Sequence, residues 1–281
     1  MLFASASLAR RIEQAESSLV TGFAHAVRRR VGEAAVVIES IGGGVAVMAG
    51  LDSPFNKTVG LGFEPLDESA LEAVEREFSR RNAPLRVELA TLADPAAAST
   101  LSRRGYVLSG FENVLGLQLD KASTRAIPPS PSAVAVSRAG TGNTDQWVDV
   151  VSTGFMHPDT FDGPSSGESV DRAVLRQLFE DAGALPGFVR YLARRDGVVA
   201  GGASLRMWNG VAQLAGATTL PEHRRQGVQS ALLSERLADA AREGCDVAIV
   251  TTEPGSKSQQ NVQRIGFQLL YARAVMIKKA D

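Results

Sequence analysis

The chain of 281 residues has little of what many function classes require. Its single cysteine, Cys245, excludes an intrachain disulfide framework and a Cys-rich zinc site. Three histidines, His25, His157 and His223, stand far apart in sequence and offer no His-based metal centre. No apolar run reaches the ~18 residues of a membrane helix. The first fifteen residues place a short apolar patch before Arg10, Arg11 and Glu13, the reverse of signal-peptide order. There is no excess of charge either: 30 Lys and Arg against 31 Asp and Glu give a formal net charge of −1, which argues against a generally basic nucleic-acid binder. The glycine clusters Gly42-Gly43-Gly44 and Gly60-Leu61-Gly62 lack the third glycine at a helix entry that a dinucleotide fingerprint needs, and read as hairpin turns or close-packed strand glycines. Cys245 has no His neighbour or charged activator in sequence and reads as a buried structural thiol. With 44% apolar and 22% charged residues, what remains is a globular protein, expected to be soluble and cytoplasmic. Its length suggests about two domains.

The composition breaks at KASTRAIPPSPS, residues 121–132, whose Pro and Ser density favours an extended linker. This predicts one domain over 1–120 and another over 133–281. In the first, apolar residues three and four apart predict helices at 5–30 and 67–81, and a short helix at 95–104. Strands are expected at 35–41, 44–49, 57–63 and 87–91, with a strand pair over 106–119. In the second, helices are expected at 145–153, 171–181, 227–242 and 258–264. Its strands are expected at 133–138, 188–194, 198–207, 211–220, 247–252 and 267–278. Asp196-Gly197 and Asn209-Gly210 are hairpin dipeptides, because glycine takes the positive φ such turns need. The fold class is mixed α/β, with mostly antiparallel sheets flanked by helices. The halves end alike: Gly105-Tyr106 and Gly266-Phe267 each follow a short helix and open a final strand, as a tandem duplication would.

TTLPEHRRQGVQSALL, residues 218–233, is the most informative stretch. It runs from a strand end through Pro221 and a basic turn, Arg224-Arg225-Gln226-Gly227, into a helix whose first amides are unpaired. Such a terminus suits an anionic phosphate, and Gly227 permits close backbone approach. An ordinary strand–helix connection with two surface arginines is the alternative. In the first half the corresponding turn reads Phe63-Glu64-Pro65-Leu66-Asp67-Glu68, whose three carboxylates would repel an anion.

Arg224-Arg225-Gln226-Gly227-Val228-Gln229 resembles the pyrophosphate loop of the GCN5-related N-acetyltransferases, the GNAT superfamily: Arg or Gln, two residues, Gly, one residue, then Gly or Ala. Arg224 and Gly227 match, and Gln229 departs from the small residue usual there. The context is similar too, from Pro221-Glu222-His223 before the loop to Asn261 and Arg264-Ile265-Gly266-Phe267 after it. The resemblance covers 132–281, and only the end of the first half.

The resemblance implies a tandem protein with a degenerate N-terminal copy. Its activity would be transfer of the acetyl group of acetyl-CoA, as co-substrate, to a primary amine by direct attack in a ternary complex. No metal, nucleic acid or membrane is implied. The acceptor is expected to be a small molecule, and the chain a monomer or homodimer. Thr219, Leu220, Arg224, Arg225, Gln226, Gly227, Val228, Gln229, Ser230, Ala231 and Asn261 are the expected cofactor-binding residues, with the carbonyl-polarising N–H at about Thr219 or Leu220. The pantetheine arm would lie between strands 211–220 and 247–252, and the loop at 161–167 would shape the acceptor site. The Tyr that many members carry four residues before the Gly-aromatic pair is Val262 here. Glu253 and His157 are the candidate catalytic bases. The alternative is a non-catalytic acyl-CoA-binding module.

Overall fold

A computed structural model describes residues 2–50, 53–120, 133–157 and 172–280. The expected linker at 121–132 and the loop at 161–167 lie outside them. Among the described residues the elements run α1 (Ala6–Val31), β1 (Val36–Ile41), β2 (Gly44–Ala49), β3 (Lys57–Val59), α2 (Glu68–Ser79), β4 (Leu85–Ala90), α3 (Pro95–Arg103) and β5 (Val107–Gln118). They continue as β6 (Val134–Arg138), α4 (Thr144–Met156), α5 (Arg172–Ala182), β7 (Phe188–Arg195), β8 (Val198–Trp208) and β9 (Val211–Thr219). The last are α6 (Val228–Arg242), β10 (Val247–Thr252), α7 (Lys257–Ile265) and β11 (Gln268–Lys278).

The chain forms two compact units: Phe3–Val114 with Leu269–Asp281, and Leu115–Gln268 with Met1–Leu2. They are not the linear halves. The final strand, β11, is built almost wholly into the N-terminal unit, where it runs antiparallel to β4 from Arg273↔Ala90 to Lys278↔Leu85. The last residues of β5 belong in turn to the C-terminal unit, where the Leu119 N–H donates to the Asp246 carbonyl at 2.8 Å. β5 is one strand of twelve residues. The expected strand pair over 106–119 is absent because neither Gly110 nor Gly116 takes a positive φ, so nothing turns the chain.

In the N-terminal unit the strand order is β1-β2-β3-β4-β11. The Gly42-Gly43 turn between β1 and β2 has φ of 53° and 84°, as a two-residue hairpin of this hand requires. β3 stops at Val59, short of the expected 63, because Gly60 and Gly62 both adopt positive φ. α1 is capped by the Ser5 side chain and buries Ile12, Ala15, Val20 and Phe23 along one face. A second core gathers Leu71, Val74 and Phe78 of α2 with Val87, Leu101 and Tyr106.

In the C-terminal unit the order is β10-β9-β8-β7-β6, antiparallel from β9 to β6, with β10 parallel to β9. Asp196-Gly197 and Asn209-Gly210 make the two hairpins, all four residues at positive φ. α6 buries Val228, Ala231, Leu232 and Leu237 against Ala203, Leu205, Ala212 and Ala248. A second cluster seats Trp147 of α4 among Phe179 and Leu192, its indole N–H donating to the Ala203 carbonyl at 3.0 Å. Cys245 is buried in the first of these cores.

Candidate functional site

β9 and β10 pair in parallel for only three steps, Val247↔Val211, Ala248↔Ala212 and Ile249↔Gln213. Beyond these the strands part, leaving 214–219 and 250–252 without each other as ladder partners. β9 carries a bulge at the same level. Its register against β8 passes from Ser204↔Ala215 to Gly202↔Thr218, so β9 holds one extra residue. Gly216 takes φ +57° in this bulge, where a side chain would be strained. The Ala215 carbonyl accepts the Ser204 hydroxyl at 3.0 Å. It also accepts from Arg236 Nη1 at 3.5 Å, and the same nitrogen donates to the Ser204 carbonyl at 3.0 Å.

The turn after β9 follows directly. The Leu220 N–H donates to the Ala200 carbonyl at 3.0 Å, Pro221–His223 form one 3-10 turn, and Arg225 and Gly227 adopt φ of 60° and 82°. Gly227 is the N-cap of α6, and among the described residues no side chain caps this helix. Its first intrahelical donor is the Ala231 N–H, to the Gly227 carbonyl at 3.0 Å, so the amides of Val228, Gln229 and Ser230 precede the helical ladder. Gly201 on β8 makes room for this end: a Cβ there would lie 2.6 Å from the Thr218 carbonyl and 2.8 Å from Val228 Cγ1. Gln226 fixes the turn from its own side, its Nε2 donating to the Glu222 carbonyl at 3.1 Å while its Oε1 accepts the Arg195 guanidinium.

The expected residues Thr219 and Leu220 and those at 224–231 run from the last residue of β9 through the turn into the first turn of α6. The structure also brings Arg224 and His157 together, but through the His157 backbone carbonyl, which accepts the Arg224 guanidinium. The His157 side chain is exposed at the C-terminal end of α4. Glu253 is exposed one residue past β10, and among the described residues its side chain has no hydrogen bond or ion pair with the turn. Asn261 is half-buried on α7, its Oδ1 3.4 Å from Arg264 Nη1. The N–H of Leu220 is spent on the Ala200 carbonyl at 3.0 Å, so of the expected donors at Thr219 and Leu220 the second is already engaged.

Val262 is buried in the core. Tyr271 belongs to the N-terminal unit, where its hydroxyl donates to Glu13 Oε1 at 2.7 Å and burial pushes its pKa well up. Sequence reasoning missed four features: Arg195, the bulge, Arg236, and Thr252, whose buried hydroxyl at the end of β10 has no hydrogen-bond partner among the described residues. An isolated glycine inside a strand pattern, Gly216, was the available signal for the bulge.

The corresponding turn of the N-terminal unit is closed. Asp67 caps α2, accepting the Ser69 N–H at 2.9 Å and hydroxyl at 2.8 Å, and these bonds hold its carboxyl below the usual range. β3 and β4 are tied by Lys57, whose Nζ lies 3.0 Å from Glu88 and 3.1 Å from Glu16. Burial alone would lower the Lys57 pKa; the two carboxylates reverse this and raise it. Among the described residues no group of three or more His, Cys, Asp or Glu is placed to hold a metal ion, and no helix is long and apolar enough to cross a membrane.

An open helix N-terminus beside two parting parallel strands is an arrangement that can accept an anion. Residues 156–267 match the model of the acetyltransferase (GNAT) family. Among solved structures, a GCN5-related N-acetyltransferase from Kribbella flavida is similar at 20% identity and a TM-score of 0.64, covering 96% of this chain and 95% of its own. A tandem GNAT protein from the clavulanic acid biosynthesis pathway is similar at 14% identity and a TM-score of 0.62, over 92% of this chain and 88% of its own. A GCN5-related N-acetyltransferase from Sphaerobacter thermophilus follows at 15% identity and 0.55, over 76% of this chain and 67% of its own. These likenesses show the tandem GNAT fold. The comparison with curated proteins finds no match.

Proposed function

We propose that the C-terminal unit binds acetyl-CoA and transfers its acetyl group to a primary amine of a small molecule, the two substrates meeting in a ternary complex. The observation that carries this reading is the uncapped N-terminus of α6 at the mouth of the parted strands β9 and β10. The amides of Val228, Gln229 and Ser230 would receive the pyrophosphate, with Arg224 and Arg225 adding charge. The pantetheine arm would run between β9 and β10 where their ladder has stopped. The thioester carbonyl would then lie near Gly216, whose N–H polarises it. The amine nitrogen attacks that carbon, the carbon–sulfur bond breaks, and the thiolate leaves as the amine gives up its proton. Glu253 is assigned as the proton acceptor, being the carboxylate nearest the end of β10 in sequence. His157 is the second candidate, on the α4 side. The N-terminal unit is assigned as a degenerate copy that binds no acyl-CoA.

One observation favours a second reading, a non-catalytic acyl-CoA-binding module: an aliphatic Val262 stands where many members place a tyrosine acid. Calorimetric titration of acetyl-CoA, paired with a thiol-release assay over a panel of small amines, separates the two. Binding with thiol release supports transfer; binding without release over the whole panel supports the module.

A further inference from the structure

A buried guanidinium inside an apolar cluster needs a reason. Arg236 is 2% exposed on α6, flanked by Leu232, Leu233 and Leu237, where a leucine or methionine would fill the same space. Burying a charge is expensive unless its donors are satisfied. Here they go to backbone carbonyls: Nε to Leu232 at 3.0 Å, and Nη1 to Ser204 and Ala215. Burial lowers its pKa to about 10.

The two carbonyls it reaches on the sheet are no ordinary pair. Ser204 and Ala215 face each other at the last regular step before the bulge of β9. The Ala215 carbonyl thus receives both the Ser204 hydroxyl and Arg236. A peptide group is planar and trans, so its N–H points opposite to its carbonyl. Fixing the Ala215 oxygen on the β8 side therefore aims the Gly216 N–H away from β8, toward the side β10 has left. A cationic donor on the carbonyl also polarises the same peptide and strengthens its N–H as a donor.

We infer that Arg236 is a positioning residue for acyl transfer: with Ser204 it locks the Ala215–Gly216 peptide so that the Gly216 N–H is held ready for the thioester carbonyl. This rests on the acetyl-CoA reading above. A pre-set donor of this kind is worth more than one that must be oriented during the reaction.

The test reads the carbonyl itself and needs no amine acceptor. Acetyl-CoA labelled with carbon-13 at its carbonyl is bound to the wild-type chain and to Arg236→Met, Arg236→Lys and Ser204→Ala, and its stretch is followed by difference infrared spectroscopy. Thermal melts and the affinity for unacetylated CoA are measured alongside. The wild type is expected to lower the stretch relative to free acetyl-CoA. Arg236→Met should lose most of that lowering, and Ser204→Ala and Arg236→Lys part of it, with CoA affinity changed by less than about threefold. Should Arg236→Met not fold, Ser204→Ala and Arg236→Lys carry the test, since both leave the core filled. A wild-type shift that every folded variant leaves unchanged overturns this inference alone. A wild type that does not bind acetyl-CoA overturns the functional reading, and this inference with it.

Discussion

Two strand-to-helix turns, one in each unit, hold corresponding places and differ in who satisfies the first amides of the helix. At α2 the chain does so itself: Asp67 accepts from Ser69, and Glu68 is paired with Arg103 at 2.9 Å. At α6 no side chain among the described residues does, and a glycine at φ +82° stands where the cap would be. The strands before each helix both part early, β3 and β4 after two paired steps and β9 and β10 after three, but β3 and β4 are also joined by the Lys57–Glu88 ion pair. A turn that caps itself and ties its strands is a structural joint. One that leaves amides open beside a gap is suited to receive an anion, which is the role proposed for it here.

The largest effect expected from breaking this contrast is at Gly227. Gly227→Asp sets a carboxylate where the pyrophosphate is assigned and puts a Cβ at positive φ. Losing one charged hydrogen bond costs about 1.5–3 kcal/mol and a repelling charge adds to it, so acetyl-CoA affinity should fall at least ~100-fold by calorimetry. Full binding would show that the turn has been assigned wrongly. Glu253→Gln tests the chemistry apart from the binding: turnover should drop on the order of 10²-fold with acetyl-CoA affinity unaltered. Unaltered turnover would remove Glu253 and leave His157 to be tested.

A smaller effect sharpens how α6 is held. Burial alone would raise the Asp239 carboxyl, but Arg138 at 2.7 Å and Tyr191 at 2.8 Å more than offset this and keep it below the usual carboxylate range. A depressed carboxyl stabilises the fold above its unfolded pKa, and that contribution disappears as pH falls through the folded value. Asp239→Asn should therefore lower the melting temperature at neutral pH, and its deficit against the wild type should shrink toward low pH. A deficit constant with pH would deny the carboxylate this role. The smallest effect is expected from Asp67→Ala in the closed turn, which should leave acetyl-CoA affinity within about threefold.

Much of this contrast was legible in sequence, because it is written in local chemistry. Arg224, Arg225 and Gly227 against Glu64, Asp67 and Glu68 announce opposite preferences for an anion, and the hairpin dipeptides place β7, β8 and β9. What the sequence did not show is non-local. Nothing near Leu269 says that β11 completes the N-terminal unit, since its partner, β4, lies some 180 residues earlier in the chain. Leu220 has a hydrogen-bond partner only because β8 and β9 are in that register, so the free donor expected there is absent. Arg236 sits on an apolar helix face, and only the folded sheet reveals the carbonyls it reaches.

The central claim is that the two turns differ in binding anions, and the stoichiometry of acetyl-CoA binding to the intact chain tests it most directly. Calorimetry on the wild type should give one site per chain. Two equivalent sites, or a single site that survives Gly227→Asp, would contradict it.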